Sequence, residues 1–162
     1  MLAGKSSVEI SMPATKHKSQ LTGMLGVYLT AAELTSRGFI VSPTSRSAAG
    51  ADLLVTDQRC QKAWSVQVKT QQDAAKYWLV GSHAKEISSP SHVYVFVNLR
   101  GDNRPDYLVV PSEIVATMTY VDGAQTGSKW YCFDKIAGKE YVTQQPWTDK
   151  RQEGWETFGQ PN

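Results

Sequence analysis

A continuous apolar run over residues 93–97, Val-Tyr-Val-Phe-Val, restricts the folds open to this chain more than any other feature. β-Branched and aromatic residues favour strands, and a run without polar alternation is typical of a strand that is covered on both faces. The run therefore predicts the centre of a sheet with other elements packed on both sides. A chain of 162 residues, 41% of them hydrophobic, is long enough to supply that cover within one ordinary domain.

A helix is predicted before this sheet, and further strands and a second helix around it. Residues 21–37 carry apolar side chains mostly at three- and four-residue steps, and Gly38 stands where a C-terminal cap belongs. Gly23 and Gly26 weaken this helix, which indicates that its backbone closely approaches another element. A helix is also predicted at 111–119, and short strands at 39–41, 51–56, 63–70, 107–110, 130–133 and 140–142. Residues 77–80 are read either as a strand or as the end of a loop.

Residues 1–15 are rich in Gly, Ser, Pro and Thr and predict a flexible leader, whereas residues 16–162 predict a single domain. No segment has the pattern of a signal peptide or approaches the roughly 20 apolar residues of a membrane span. Cys60 and Cys132 are far apart and match no CxxC spacing, so free thiols in a reducing compartment are expected, with a disulfide or a zinc site as the alternative. We therefore expect a cytoplasmic protein without a membrane partner.

The net charge of +2 is too small to indicate nucleic-acid binding by itself, although it is compatible with a local basic patch. Tyr77 and Trp78, near Lys76, have aromatic rings that could stack on bases, although core packing is the expected role of Trp78. The alternative interpretation of the basic residues is scattered solvated charge. The candidates for nucleic-acid contact are Lys16, Lys18, Arg46 and Lys76.

The predicted strand over residues 63–70 carries a polar row. Side chains alternate between the two faces of a strand. One face therefore holds Ser65, Gln67 and Lys69, while the other is apolar. A polar row on a strand within a sheet is costly unless it meets solvent or a ligand, and the Lys69 ammonium must reach water, a carboxylate or a phosphate.

The neighbouring strand supplies a carboxylate. Asp52 lies near the start of the segment 51–56, and hairpin pairing with 63–70 can place it beside Gln67 and Lys69. Hard cations such as Mg²⁺ or Mn²⁺ accept carboxylate and amide oxygens, keep several waters and bridge to phosphate. A lysine beside such an ion can position water or stabilise the charge that develops on phosphate. The alternative interpretation is that Asp52 and Lys69 form an ion pair with a structural role only.

Gly50-x-Asp52 followed by Gln67-Val68-Lys69-Thr70 resembles the D…(E/Q)xK signature of the PD-(D/E)XK nucleases. The likeness spans roughly residues 20–118 and points to a small bacterial subgroup of that family. It implies a restriction-endonuclease-like mixed sheet flanked by helices, with an αβββαβ-type core, and metal-dependent hydrolysis of phosphodiester bonds. Other segments that carry it are Gly23-x-x-Gly26, Ala31-Ala32-Glu33-Leu34-x-x-Arg37-Gly38-Phe39, Ser42-Pro43-Thr44, Tyr94-Val95-Phe96-Val97-Asn98-Leu99 and Val110-Pro111-Ser112.

Two positions depart from the family pattern. Gln67 replaces the second acid, and Val27 stands where related sequences carry a Glu after the GxxG. Glu33 is the nearest helical acid and is the third candidate metal ligand, although it lies about 120° around the helix from Val27. Asp52 is then the one carboxylate that the pattern assigns to the site.

These observations leave two functions open. The first is a Mg²⁺- or Mn²⁺-dependent endodeoxyribonuclease in which Asp52 and Gln67 bind the ion and Lys69 orients water or phosphate. The second is a catalytically inactive module of the same fold that binds nucleic acid or another protein. DNA is the expected partner, RNA is the alternative, and a homodimer stays open.

Overall fold

A computed structural model describes residues 15–45, 50–72, 75–123, 127–148 and 150–161. The helices and strands are, in chain order, α1 (Thr15–Ser36), β1 (Ile40–Pro43), β2 (Leu53–Thr56), β3 (Ala63–Gln71), β4 (Tyr77–Leu79), β5 (His92–Arg100), β6 (Asn103–Pro111), α2 (Ser112–Met118), β7 (Tyr120–Asp122), β8 (Trp130–Asp134) and α3 (Lys135–Thr143).

Two sheets organise the fold. The larger has the strand order β1-β2-β3-β5-β6, in which β3 and β5 are parallel and the other neighbours are antiparallel. The smaller is antiparallel, with the order β4-β8-β7. The predicted hairpin is confirmed, since β2 pairs with β3 and Leu53 lies opposite Val66. The fold is therefore mixed α/β, with a mixed five-stranded sheet and three helices in the described part of the chain.

Strand β5 is covered on both faces, as its apolar run predicts. Val95 is fully buried in a core that includes Leu34 of α1 and Val66 of β3. Phe96 points the other way and stacks on Phe133 of β8, with ring centroids 4.6 Å apart. We call the two faces of the larger sheet the α1 face, on which Val95 lies, and the second-sheet face, on which Phe96 lies.

Helix α1 approaches β3 most closely at Gly26. A Cβ atom built there would lie 1.8 Å from Oγ1 of Thr70, so a larger residue cannot occupy this position without displacing the strand or helix. At Gly23 a Cβ atom would have no neighbour within 4 Å. The predicted close approach is confirmed for Gly26 alone.

The strand predicted at 140–142 is wrong, because these residues belong to α3. Asp134 caps that helix by accepting a hydrogen bond from the N–H of Ala137 at 2.9 Å. Val142 is buried against the second-sheet face, and Gly138 allows the helix to lie against Phe133. The cap and this packing outweigh the local strand preference of the segment.

The connection from β3 to β5 differs from the αβββαβ pattern. Its described residues, 72 and 75–91, form β4 and a 3₁₀ turn at Ser82–Lys85, and no α-helix is found among them. Helix α1 also begins six residues before the predicted start. Residues 1–14 of the predicted leader lie outside the described residues, and Thr15 already belongs to α1.

Cys60 is exposed and Cys132 is buried, and both are free thiols as expected. Within the described ranges, none of the helices combines the length and the apolar character needed to cross a bilayer.

Candidate functional site

Asp52 and Gln67 meet on the second-sheet face, where β2 begins beside β3. The Asp52 N–H donates to the carbonyl of Val66 at 2.8 Å, which continues the β2–β3 ladder by one residue. The pleat of the paired strands then puts the Asp52 and Gln67 side chains on one face. The Gln67 amide nitrogen donates a hydrogen bond to Oδ2 of Asp52. The same oxygen accepts from the Val68 N–H at 2.8 Å.

The main chain around Asp52 is held from the β1 side as well. The Thr44 N–H donates to the Asp52 carbonyl at 2.9 Å, and the Thr44 hydroxyl donates to the Ala51 carbonyl at 2.6 Å. Gly50 precedes this segment with φ of 83°, a conformation that favours glycine. The main chain of Asp52 is therefore fixed by hydrogen bonds from both sides, and its carboxylate is held from the β3 side.

Lys69 lies two residues after Gln67 on the same face of β3 and is half-buried. Burial lowers the pKa of its ammonium group, and the attraction of the Asp52 carboxylate partly opposes that effect. Among the described residues, no carboxylate forms an ion pair with Lys69 within 4.0 Å. Its charge is therefore available to an anionic ligand rather than consumed by a structural ion pair.

The donor set fits a hard cation held mostly by water. Both described hydrogen bonds to the Asp52 carboxylate use Oδ2, which leaves Oδ1 for an ion. Rotation of the Gln67 amide by 180° would present its oxygen instead of its nitrogen, since the two ends are assigned from the hydrogen-bond network. The described residues contain no cluster of three His, Cys, Asp or Glu side chains suited to a metal. These residues fit Mg²⁺ or Mn²⁺ with several retained waters, and do not form a closed metal cage.

The structure does not bring Glu33 to this site. Its carboxylate accepts hydrogen bonds from Arg37 at 2.9 Å and from Arg104 at 3.2 Å. It also belongs to α1, whereas Asp52 and Gln67 use the opposite face of the sheet. Val27 lies in the core of the α1 face and is 8% exposed, so an acid at that position would be buried among apolar side chains.

The predicted nucleic-acid contacts are only partly described. Lys18 is exposed and lines a depression between the start of α1 and the end of β3, together with Thr70. Lys76 is exposed immediately before β4, and the neighbouring ring of Tyr77 is 41% exposed. Lys16 belongs to α1, but its side chain, like the whole of Arg46, lies outside the described residues.

A second polar pair occupies the same row of β3. Ser65 forms a hydrogen bond with Nδ1 of His92 at 2.7 Å, and the histidine is 4% exposed. Burial lowers the pKa of His92, so the imidazole is neutral at pH 7. The sequence gives His92 no metal-ligand spacing and predicts only a surface or structural role for it. The signal that could have found it is the position of Ser65 in the polar row, because a buried hydroxyl needs a partner.

Comparisons with protein-family models, with curated proteins and with solved structures found no match for this chain.

Proposed function

We propose that this protein is a metal-dependent nuclease that hydrolyses phosphodiester bonds in DNA. The proposal is carried by one observation, the convergence of a preordered carboxylate, an amide and a lysine without an ion pair on a single face of β2 and β3. An acid, an amide oxygen and a cation can together hold a metal ion and stabilise the charge that develops in phosphodiester hydrolysis.

Each of the three residues has a role that its position supports. Asp52 and Gln67 would hold Mg²⁺ or Mn²⁺ through Oδ1 and Oε1. Such an ion, when bound, stabilises negative charge on phosphate and lowers the pKa of a coordinated water. Lys69 donates from Nζ to a phosphate oxygen, which orients the scissile group beside Asp52. Because burial lowers the pKa of Lys69, Nζ also releases a proton more readily than an exposed lysine.

One exposed lysine supports a DNA-binding role for the surface around the site. Lys76 lies just before β4, whose Tyr77 carbonyl accepts a hydrogen bond from Gln71 at the end of β3. Lys18 lies beside Thr70 on the α1 face, away from Asp52. Contacts of lysine with phosphate fix the register of a phosphate backbone without reading sequence. We infer that DNA crosses the end of β3, with its backbone directed toward Asp52.

The direct test is cleavage of supercoiled plasmid with Mg²⁺ or Mn²⁺. Lys69→Ala and Asp52→Asn are each expected to reduce the rate by about 100-fold or more, the size of effect seen when a charge-stabilising group is lost. Lys62→Ala is the matched control, since Lys62 is exposed in the β2–β3 turn outside the site. Equal cleavage by wild type, Lys69→Ala and Asp52→Asn would contradict the proposal.

A second candidate is a nucleic-acid-binding module that does not hydrolyse its ligand. The observation that favours it is the presence of a single carboxylate, Asp52, among the described residues of the site. This candidate predicts DNA or RNA binding that weakens steeply with salt. It also predicts no cleavage with any divalent ion, so the plasmid assay separates the two functions.

A further inference from the structure

Helix α1 presents apolar side chains on the side that faces away from the sheet. Leu21, Leu25 and Tyr28 are 66%, 47% and 58% exposed. Ala32 is exposed on the same side. These four residues follow one another at steps of four, three and four, so they form a continuous line on the helix surface. We call this line the α1 seam.

The stretch of α1 that carries the seam has no charge. Between Lys18 and Glu33 the sequence contains no Asp, Glu, Lys or Arg. The opposite side of the helix packs in the core of the α1 face, where Val27 and Leu34 are buried. A surface helix ordinarily turns polar and charged residues outward, whereas a helix that is apolar on both sides is covered on both sides. The α1 seam therefore has the character of a contact surface.

In the described part of the chain, no element covers the seam. The two other helices, α2 and α3, pack on the second-sheet face, where Val115 and Val142 are buried. The core of the α1 face is built from the inner side of α1, the strands and the tail, and contains none of the four seam residues. A partner for the seam must therefore come from outside this packing.

The spacing of the seam indicates the kind of partner. Apolar residues at alternating steps of three and four occupy the a and d positions of a heptad, and such positions pack against another helix. A second copy of this chain supplies a helix with the same spacing. Closed dimers in which both copies use the same surface are the commonest assemblies of soluble proteins. The seam therefore suits a second α1 helix.

The charges at the two ends of α1 favour an antiparallel pair. Lys18 is exposed near the start of the helix, and the last turn contains no basic residue. Arg37, directly after the helix, is already paired with Glu33. In an antiparallel pair, Lys18 of each copy lies near the negative end of the other helix dipole, which attracts a cation. A parallel pair would instead bring the two Lys18 ammonium groups together.

We propose that two copies of this chain form a dimer through antiparallel pairing of their α1 seams. With the twofold axis between Leu25 and Tyr28, each Leu25 packs on the Tyr28 of the other copy. Each Leu21 then packs on the smaller Ala32. The proposal does not rest on nuclease activity, because Asp52 lies on the second-sheet face and α1 covers the opposite face.

Sedimentation equilibrium of the full chain over an about 100-fold range of concentration tests the dimer. We expect the mean mass to rise toward twice the mass of one chain. Leu25→Glu should raise the dissociation constant of the dimer by about 100-fold or more, because it buries an unpaired carboxylate in the seam. Its circular dichroism spectrum should match that of the wild type, since Leu25 is exposed in the single chain. The matched control is Ile136→Glu, because Ile136 is 65% exposed on α3 and lies outside the seam.

Spin labels test the direction of the pairing. The label is attached at Ser19→Cys in a Cys60→Ser background, since Cys60 is the exposed thiol of the chain. The two labels should lie roughly 25 Å apart in the antiparallel dimer, whereas a parallel dimer would place them about 10 Å apart.

Three results would overturn the proposal: a chain that is monomeric at every concentration, a Leu25→Glu variant that dimerises as strongly as the wild type, or labels at the shorter distance. Binding of a monomeric chain to phosphatidylglycerol vesicles would assign the seam to a membrane surface instead. Loss of DNA cleavage with an intact dimer would contradict only the nuclease proposal.

Discussion

At the scale of single residues, the polar row of β3 is arranged as side-chain pairs. Asp52 is bonded to Gln67 and to the Val68 N–H, and Ser65 is bonded to His92. Each bond meets the requirement that half-buried and buried polar groups find partners. Lys69 is the charged member of this row on β3 and forms no ion pair in the described part of the chain, which is why we propose that it binds a ligand.

His92 should make the protein sensitive to mild acid. Its pKa in the folded protein lies below the ordinary value of 6.5, because the buried imidazole resists protonation. As pH falls below about 6.5, the unfolded chain binds a proton that the folded chain does not, so the free energy of unfolding decreases. We expect His92→Gln to reduce the difference in Tm between pH 7.5 and pH 5.5.

The control for this experiment is His83→Gln, since His83 is exposed and pairs with Glu86 on the surface. That variant should keep the wild-type difference in Tm between the two pH values. An equal reduction in both variants would show that the acid sensitivity does not come from burial of His92.

Arg100 and Arg104, which lie at the two ends of the β5–β6 turn, should differ in their contribution to the free energy of unfolding. Arg104 holds Glu153, whose side chain is 8% exposed and also accepts from the Trp155 indole N–H at 2.9 Å. Arg104→Ala removes two hydrogen bonds and an ion pair from that buried carboxylate and should cost about 3 kcal/mol. The Arg100–Asp106 pair is more than half exposed, so Arg100→Ala should cost less than about 1 kcal/mol. Urea unfolding of both variants measures the difference, and equal costs would contradict this account.

At the scale of helices and strands, the two glycines of α1 give a sharp comparison. Gly26→Ala places a methyl group against Thr70, and we expect it to destabilise the protein by about 2 kcal/mol despite the better helix propensity of alanine. Gly23→Ala meets open space and should stabilise it by about 1 kcal/mol. Thermal or urea unfolding measures both changes. Two stabilising substitutions would show that α1 does not pack on β3 as described.

Elements with a strong local pattern could be predicted from sequence. The apolar run of β5, the β2–β3 hairpin and the core of α1 each follow from neighbouring residues. The helical conformation of α3 could not be predicted in this way. It depends on the Asp134 cap and on contact of Gly138 with Phe133, a side chain from another element. The sequence does not decide between a strand and a loop end at residues 77–80 for a similar reason, since β4 pairs with β8, more than 50 residues later in the chain.

At the scale of the whole molecule, two sheets and α1 determine which candidate residues can meet. Asp52, Gln67 and Lys69 could be grouped from sequence because hairpin register and strand alternation are local rules. The location of Glu33 could not be predicted from sequence, because it depends on which face of the sheet α1 covers. Its ion pairs with Arg37 and Arg104 join α1 to β6 and, through Glu153, to the tail. The same arrangement of tail, β6 and α3 forms a cavity whose wall includes Asn98 and Trp78.

The central claim, that Asp52 and Gln67 form a cation site beside Lys69, is tested most directly by a crystal soaked in Mn²⁺. Anomalous scattering should show a peak about 2.1 Å from a carboxylate oxygen of Asp52, with the Gln67 amide oxygen turned toward it and waters completing the shell. The same soak of Asp52→Asn should leave this position without a peak. Absence of manganese at Asp52 in the wild-type crystal, or an equal peak in both crystals, would contradict the account.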